Sequence, residues 1–144
     1  MKTKLNILII ILITAIFATA CTGGAPSEPP KSAFTQDQAI EVATNALMNG
    51  YNKGDITAYS RDLDESVRAM LSEEAFNKIR QTYLSQYGQF ITVKQAELSH
   101  AKTEGHIRWT FTCEFEKGTM YLSLVFRQDG TKAVGATLTG EKPQ

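Results

Sequence analysis

Apolar residues fall into three regimes along this chain. From Leu5 to Phe17 they run almost unbroken. From Thr35 to Tyr87 they recur three and four positions apart. From Arg108 onward they alternate with polar residues. A continuous run, a helical period and a period of two require different structures. The chain therefore divides into a leader, a helical half and a strand half.

In the helical half, Thr35 followed by Gln38 forms a capping box, each side chain satisfying a free backbone N–H. Ile40, Ala43, Leu47 and Tyr51 then keep helical spacing, with Ala39, Val42 and Ala46 widening the stripe, and a helix is predicted over 36–52. Gly50 within it costs up to about 1 kcal/mol against Ala, so it marks either a close packing contact or an early end. Gly54 stops this helix and Asp55 caps a short one after it. Residues 62–65 read as irregular and Val67 to Leu71 as a further turn. Ser72 caps a second long helix, with Glu73 and Glu74 in the first turn, where negative charge suits the helix dipole. It is predicted over 73–87, with Phe76, Ile79, Tyr83 and Tyr87 on one face and Leu84 beside them, and Gly88 ends it.

In the strand half, Phe90 to Ser99 is β-prone but alternates poorly, and Thr103-Glu104-Gly105 reads as a turn. Beyond it, Trp109, Phe111, Cys113 and Phe115 point one way, and Thr110, Thr112, Glu114 and Glu116 the other. Lys117-Gly118 reads as a two-residue turn, after which Met120, Leu122, Leu124 and Phe126 alternate with Tyr121, Ser123 and Val125. Asp129-Gly130 favours a type I′ hairpin, and Lys132 to Thr139 supplies a last strand. With two-residue loops, Phe115 faces Met120, Cys113 faces Leu122, Phe111 faces Leu124 and Trp109 faces Phe126. In the second hairpin Phe126 faces Ala133, Leu124 faces Gly135 and Leu122 faces Thr137. One face is then strongly apolar and must be covered by the helices. A one-residue slip would expose its whole aromatic row, so the facing is well specified. On that face Ala133 and Gly135 leave space for a helix or a cavity, while Val134 and Ala136 fall on the mixed outer face.

The leader adds an address. Lys2 and Lys4 precede the apolar run, and small residues follow it, the three-part layout of a secretory signal. The run is shorter than the roughly 20 residues of a membrane-spanning helix. Ala18-Thr19-Ala20-Cys21 resembles the lipobox of prokaryotic lipoproteins, with Ala18 where Leu is usual. That resemblance implies that Cys21 carries a diacylglyceryl group and becomes the mature N-terminus. The protein would then be lipid-anchored in the cell envelope, on the outer side of the cytoplasmic membrane or on an outer membrane. Secretion after cleavage near Ala20 and an uncleaved anchor are the alternatives. Thr22 to Ala33 is rich in Gly, Pro and Ser and reads as a solvated tether. The expected organisation is a signal peptide at 1–20, a lipidated cysteine and tether at 21–34, and one domain at 35–140, large enough for a single core.

Charge narrows the partners. The chain has 15 basic and 15 acidic residues, and loss of Lys2 and Lys4 leaves a mildly acidic mature protein. No basic patch suggests nucleic acid, and no lysine run suggests a second, electrostatic membrane contact. Of two cysteines, acylation of Cys21 leaves Cys113 without an intrachain partner.

Helices followed by a four-stranded antiparallel meander resemble the NTF2-like (cystatin-like) α+β cone. Within it, Asn52-Lys53-Gly54-Asp55, Leu71-Ser72-Glu73-Glu74-Ala75-Phe76 and Phe115-Glu116-Lys117-Gly118 are similar to the DUF3887 group, over about residues 36–138. The resemblance implies helices packed on one face of a curved sheet, in a group with no assigned activity whose members are often exported or lipid-anchored. The superfamily holds isomerase-like and dehydratase-like enzymes beside many non-catalytic domains, so fold alone does not choose the function. The isomerase pattern needs an Asp base and a Tyr/Asp pair inside the cone. Here Asp62 and Asp64 lie between helices and the apolar face carries no Asp.

The remaining chemical candidates are bland. His100 and His106 flank the turn at Glu104 and read as a solvated loop rather than a metal site. No His-Glu-x-x-His, Cys-x-x-Cys, phosphate loop or Gly-x-Ser-x-Gly elbow is present, so neither metal, cofactor nor catalytic residue is expected. Cys113 reads as a buried, inert thiol. The expectation is a non-catalytic domain that binds a small apolar ligand or an envelope protein at the cone mouth or the outer sheet face. Candidate pocket residues are Trp109, Phe111, Phe115, Met120, Leu122, Leu124, Tyr83 and Tyr87. The rivals are an isomerase- or dehydratase-like enzyme in the cone and a homodimer through the outer sheet face.

Overall fold

The computed structural model describes residues 28–143. The expected signal peptide, the expected lipidation site Cys21 and the expected tether up to residue 27 lie outside the described residues. Among the described residues no helix is long and apolar enough to cross a membrane.

The first helix, α1 (Gln36–Thr44), opens on the capping box: Thr35 Oγ1 accepts from Gln38 N, and Gln38 Oε1 accepts from Thr35 N. It runs on as a π-helix over Asn45–Tyr51, with Asn52 N donating to Leu47 O and Asp55 N to Gly50 O, both at 2.9 Å. The helix predicted over 36–52 is therefore present but changes its winding. Ala39, Ala43, Leu47 and Tyr51 lie four apart and are all buried. An ideal α-helix rotates such a stripe by about 40° per step. Wider i→i+5 turns keep its last members on the core side.

Asp55 caps α2 (Ile56–Ser60), accepting from Thr57 N and Ala58 N, and Asp64 caps α3 (Glu65–Met70). Ser72 caps α4 (Glu73–Tyr87), the predicted span. It buries Phe76 and half-buries Tyr83, Leu84 and Tyr87, but Ile79 is 51% exposed. The predicted face otherwise packs as expected; in place of Ile79, Arg80 turns inward to bond the Tyr51 and Asn52 carbonyls.

Strands β1 (Phe90–His100), β2 (His106–Phe115), β3 (Gly118–Arg127) and β4 (Ala133–Thr139) form one antiparallel meander in chain order. The class is α+β, with helices on one face of an open four-stranded sheet. Two irregularities in β1, near Thr92 and Val93, explain its poor alternation and return Ala96 and Leu98 to the apolar face, opposite Phe111 and Trp109.

The first hairpin departs from the predicted register. Phe115 pairs with Gly118, Cys113 with Met120, Phe111 with Leu122, Trp109 with Leu124 and Ile107 with Phe126. The turn is Glu116-Lys117, not Lys117-Gly118, so every partner moves by two and the facing survives. The turn sits where it does because α4's end takes it: Lys117 N donates to Tyr87 O and Glu116 N to Gln89 O. Glu116 is accordingly a turn residue rather than a strand residue.

The second hairpin begins as predicted, with Phe126 opposite Ala133, and then slips. A bulge puts Gly135 opposite Val125, Ala136 opposite Leu124, Thr137 opposite Ser123 and Leu138 opposite Leu122. Leu138 and Ala136, not Thr137 and Gly135, therefore lie on the helix side. The cause is an anchor on Ala133, which donates to Asp62 O and accepts from Asp64 N in a parallel bridge at Leu63. No type I′ turn forms, since Gly130 has no positive φ; Gly130 N instead closes a turn on Arg127 O. Leu138 O accepts from Tyr83 Oη at 3.0 Å. The free edge of β4 is thus capped at both ends, which blunts it against strand pairing.

Candidate functional site

The interior of the helix–sheet sandwich is filled. Trp109, Phe111, Phe115, Met120, Leu122 and Leu124 are all core residues, none more than 4% exposed. Rings close the space between them: Tyr51 and Phe90 both meet Phe115 edge-on, at centroid distances of 5.5 and 5.6 Å. A void beside Tyr59, Leu63, Leu122, Leu124 and Ala133 measures about 10 Å³, room for roughly one water. Of the eight candidate pocket residues, Leu122 and Leu124 border that void and the other four on the sheet are packed. Tyr83 and Tyr87, on α4 with ring centroids 6.3 Å apart, pack against the edge of the core, and Tyr83 also lines the open space at the β4 edge.

Burial also sets the chemistry of this interior. Cys113 is fully buried, and desolvation pushes its thiol up to about 12. It is held as a neutral S–H, donating to Phe111 O at 3.6 Å. Tyr51 is pushed up to about 12 by burial, against the opposing pull of Arg80, and its hydroxyl donates to Gly88 O at 3.0 Å. Burial likewise raises Tyr59. Among the described residues, no hydrogen bond joins a tyrosine hydroxyl to a carboxylate, and no three metal-ligating side chains gather.

The opposite face of the sheet carries a larger open space. A groove of about 720 Å³ runs over it, floored by Ser123, Val125, Gly135, Thr137 and Thr139. Lys102 and Arg108 line one part, and the segment from Gly140 to Pro143 forms a wall. That wall is held across the sheet: Lys142 Nζ lies 2.9 Å from Glu97 Oε1, although β4 and β1 are opposite edges. Mid-sheet on the same face, Thr110 and Ser123 are only 8% and 6% exposed, with their hydroxyls 3.4 Å apart. Sequence reasoning identified this face as mixed but missed its wall, because the last residues carry no period. A second, more apolar cleft of about 360 Å³ lies between α3, α4 and β4, with Met70 and Ile79 on its rim.

The sequence words of the family resemblance turn out to be joinery. Asn52 spans the start of β1 as a strand would, its amide donating to Phe90 O and accepting from Phe90 N, both at 2.8 Å. Its own carbonyl, left over at the helix end, accepts from Arg80 Nη2 at 2.8 Å. On the other side, the Glu116 carboxylate accepts from Gln89 N at 2.9 Å, and Lys117 Nζ donates to Ser85 O at 3.2 Å, near the negative end of α4. Gly88 sits between these clamps at φ +76, where a side chain would both strain the backbone and strike Glu116. Asn52, Glu116 and Lys117 therefore lock α4 onto the sheet and carry no free chemistry.

Comparison with known proteins agrees with this architecture. The family described as "Protein of unknown function (DUF3887)" matches residues 45–133, a span containing all three words. A solved structure, the NMR structure of a protein from Ruminococcus gnavus ATCC 29149, matches with a TM-score of 0.57 at 15% identity, covering 76% of this chain and 98% of that one. At that identity the likeness is one of fold alone. No curated protein matches the chain.

Proposed function

We propose, from the premise that this chain belongs to the DUF3887 family, that it is a lipid-tethered, non-catalytic binding domain whose binding surface is the outer-face groove. The observation that carries this reading is a contrast of volumes: about 10 Å³ in the void within the sandwich and about 360 Å³ in the cleft at its α3–α4–β4 edge, against about 720 Å³ on the outer face. Ligand sites commonly occupy a few hundred Å³. An apolar ligand in an NTF2-like interior would have to displace packed aromatic rings, at a cost of several kcal/mol on the order of a core truncation. The groove needs no such opening. Val125 and Pro143 give it apolar contacts, Ser123, Thr137 and Thr139 give hydroxyls, and Lys102, Lys142 and Glu141 give charge of both signs. Such a lining suits a polar ligand or an extended segment of an envelope protein.

The rival, an isomerase- or dehydratase-like enzyme, needs a carboxylate and a tyrosine facing a substrate-sized cavity. Here the Tyr51 and Tyr83 hydroxyls are committed to the Gly88 and Leu138 carbonyls. Location follows from Cys21: acyl chains contribute about 0.8 kcal/mol per buried CH₂, and two of them hold a protein on a membrane stably.

The test is a pull-down from native membranes, with protein and small-molecule mass spectrometry, comparing the wild type with Thr137→Arg. Thr137 is exposed on the groove floor, so the variant fills the site without touching the core. The expected result is a species retained by the wild type and lost from an equally stable variant. Equal retention by both would remove the groove from consideration. Replacement of Cys21 with Ala should release the protein from membranes; continued membrane binding would remove the anchor.

A further inference from the structure

We infer that residues Glu28–Phe34 are a docked strap that fixes which end of the domain faces the membrane: the end bearing the β1–β2 turn. The inference rests on the lipid-anchor reading of Cys21. Composition alone makes this stretch a loose tether, but it is pinned along the domain. His100 Nε2 lies 3.1 Å from Glu28 O. The Trp109 indole N–H donates to Ser32 Oγ at 3.2 Å, and the same hydroxyl accepts from Phe34 N at 3.0 Å. The Phe34 ring then meets Phe126 edge-on at 5.1 Å, next to the core.

All these anchor points lie at one end of the sheet. His100 closes β1, Ile107 and Trp109 open β2, and Phe126 pairs with Ile107. The two turns at that end are joined, Gln128 N donating to Gly105 O at 3.0 Å. With the strap docked, the connection to Cys21 begins at Glu28. Fully extended, it reaches about 25 Å. Were the strap loose up to Thr35, the reach would be about 50 Å, enough for the domain to turn over. The strand length of β2 separates the two ends by about 30 Å. The docked strap therefore excludes the inverted pose, in which the joint at Asn52 and Gly88 meets the bilayer and the 101–105 turn points away, because that pose needs about 30 Å of reach. Lys102 belongs to the near end, so that end of the groove lies toward the membrane, while the wall after Thr139 lies toward the other end.

The experiment uses the full lipidated chain in lipid vesicles carrying a headgroup acceptor dye. Donors are placed on cysteines introduced by Thr103→Cys or Lys53→Cys, both exposed and at opposite ends; buried Cys113 stays unlabelled. Energy transfer at position 103 is expected to be at least twofold that at position 53. Adding Ser32→Ala with Phe34→Ala should bring the two values together while flotation with the vesicles is unchanged. Equal transfer from both positions in the otherwise unaltered, floating chain would overturn the fixed orientation. A chain that fails to float overturns the anchor instead. In that case docking is read separately from the single Trp indole N–H resonance in water. A shift on Ser32→Ala supports the strap, and an unmoved resonance refutes it.

Discussion

Gly50 lies where the π-helical turn crosses α2 at backbone contact. A Cβ at that position would run into the Cα and N of Tyr59. Of the two meanings its sequence position allowed, close packing is the one realised. Gly50→Ala should therefore destabilise the domain despite Ala's better helix propensity. Overpacking typically costs about 1–3 kcal/mol, with backbone on backbone at the upper end. Urea unfolding would show a lower midpoint at an unchanged slope, and an unaltered midpoint would refute the contact. At Cys113 the expected effect is in pH. Below pH 9 the thiol is neutral in folded and unfolded chains alike. Above it the unfolded thiol ionises, while the native one, moved from 9.0 to about 12, keeps its proton. Stability should therefore fall as pH rises from 9 toward 12, and a thiol reagent at pH 8 should modify Cys113 only after denaturation. Rapid modification of the native protein, with Cys21 acylated or replaced by Ser, would contradict this.

Helix boundaries were legible because their signals are local. Thr35, Asp55 and Ser72 cap helices through their own neighbours, and no distant contact competes. Strand pairing was legible only to its parity. The alternation from Trp109 to Phe115 specifies which side faces the helices, but the partners depend on where the chain turns, and the carbonyls of Tyr87 and Gln89, at and just past the end of α4, decide that at Lys117 and Glu116. The bulge in β4 was invisible for a like reason, since it follows from Ala133 being held by Asp62 and Asp64, some seventy residues earlier in the chain. The groove was legible as a mixed face and not as a groove. Its wall depends on the long-range contact between Lys142 and Glu97. At the joint, Asn52→Ala removes both side-chain bonds to Phe90 and leaves a half-buried strand end unpaired. The expected loss is about 1–3 kcal/mol, read by chemical denaturation, against a loss within about 0.5 kcal/mol for the neighbouring exposed Lys53→Ala. Equal effects would mean that Asn52 acts only as a helix terminator.

At the scale of the molecule, the outer sheet face has two claimants, a ligand and a second copy of the chain. The segment from Gly140 to Pro143 already crosses that face, so close sheet-to-sheet pairing would have to break the Lys142–Glu97 contact and move the wall aside. Light scattering on the domain without leader and tether is expected to show a monomer across the micromolar range. A dimer that dissociates on Thr137→Arg would give the face to self-association instead. The joint around Gly88 has a different consequence, for how the chain folds. It ties residues 37 and 38 positions apart on one side and 27 apart on the other. Loops of that length must close, at an entropic cost, before any of those bonds can form. The helical half therefore gains little by assembling ahead of the sheet, and the two halves share one late, cooperative barrier typical of mixed α and β topologies.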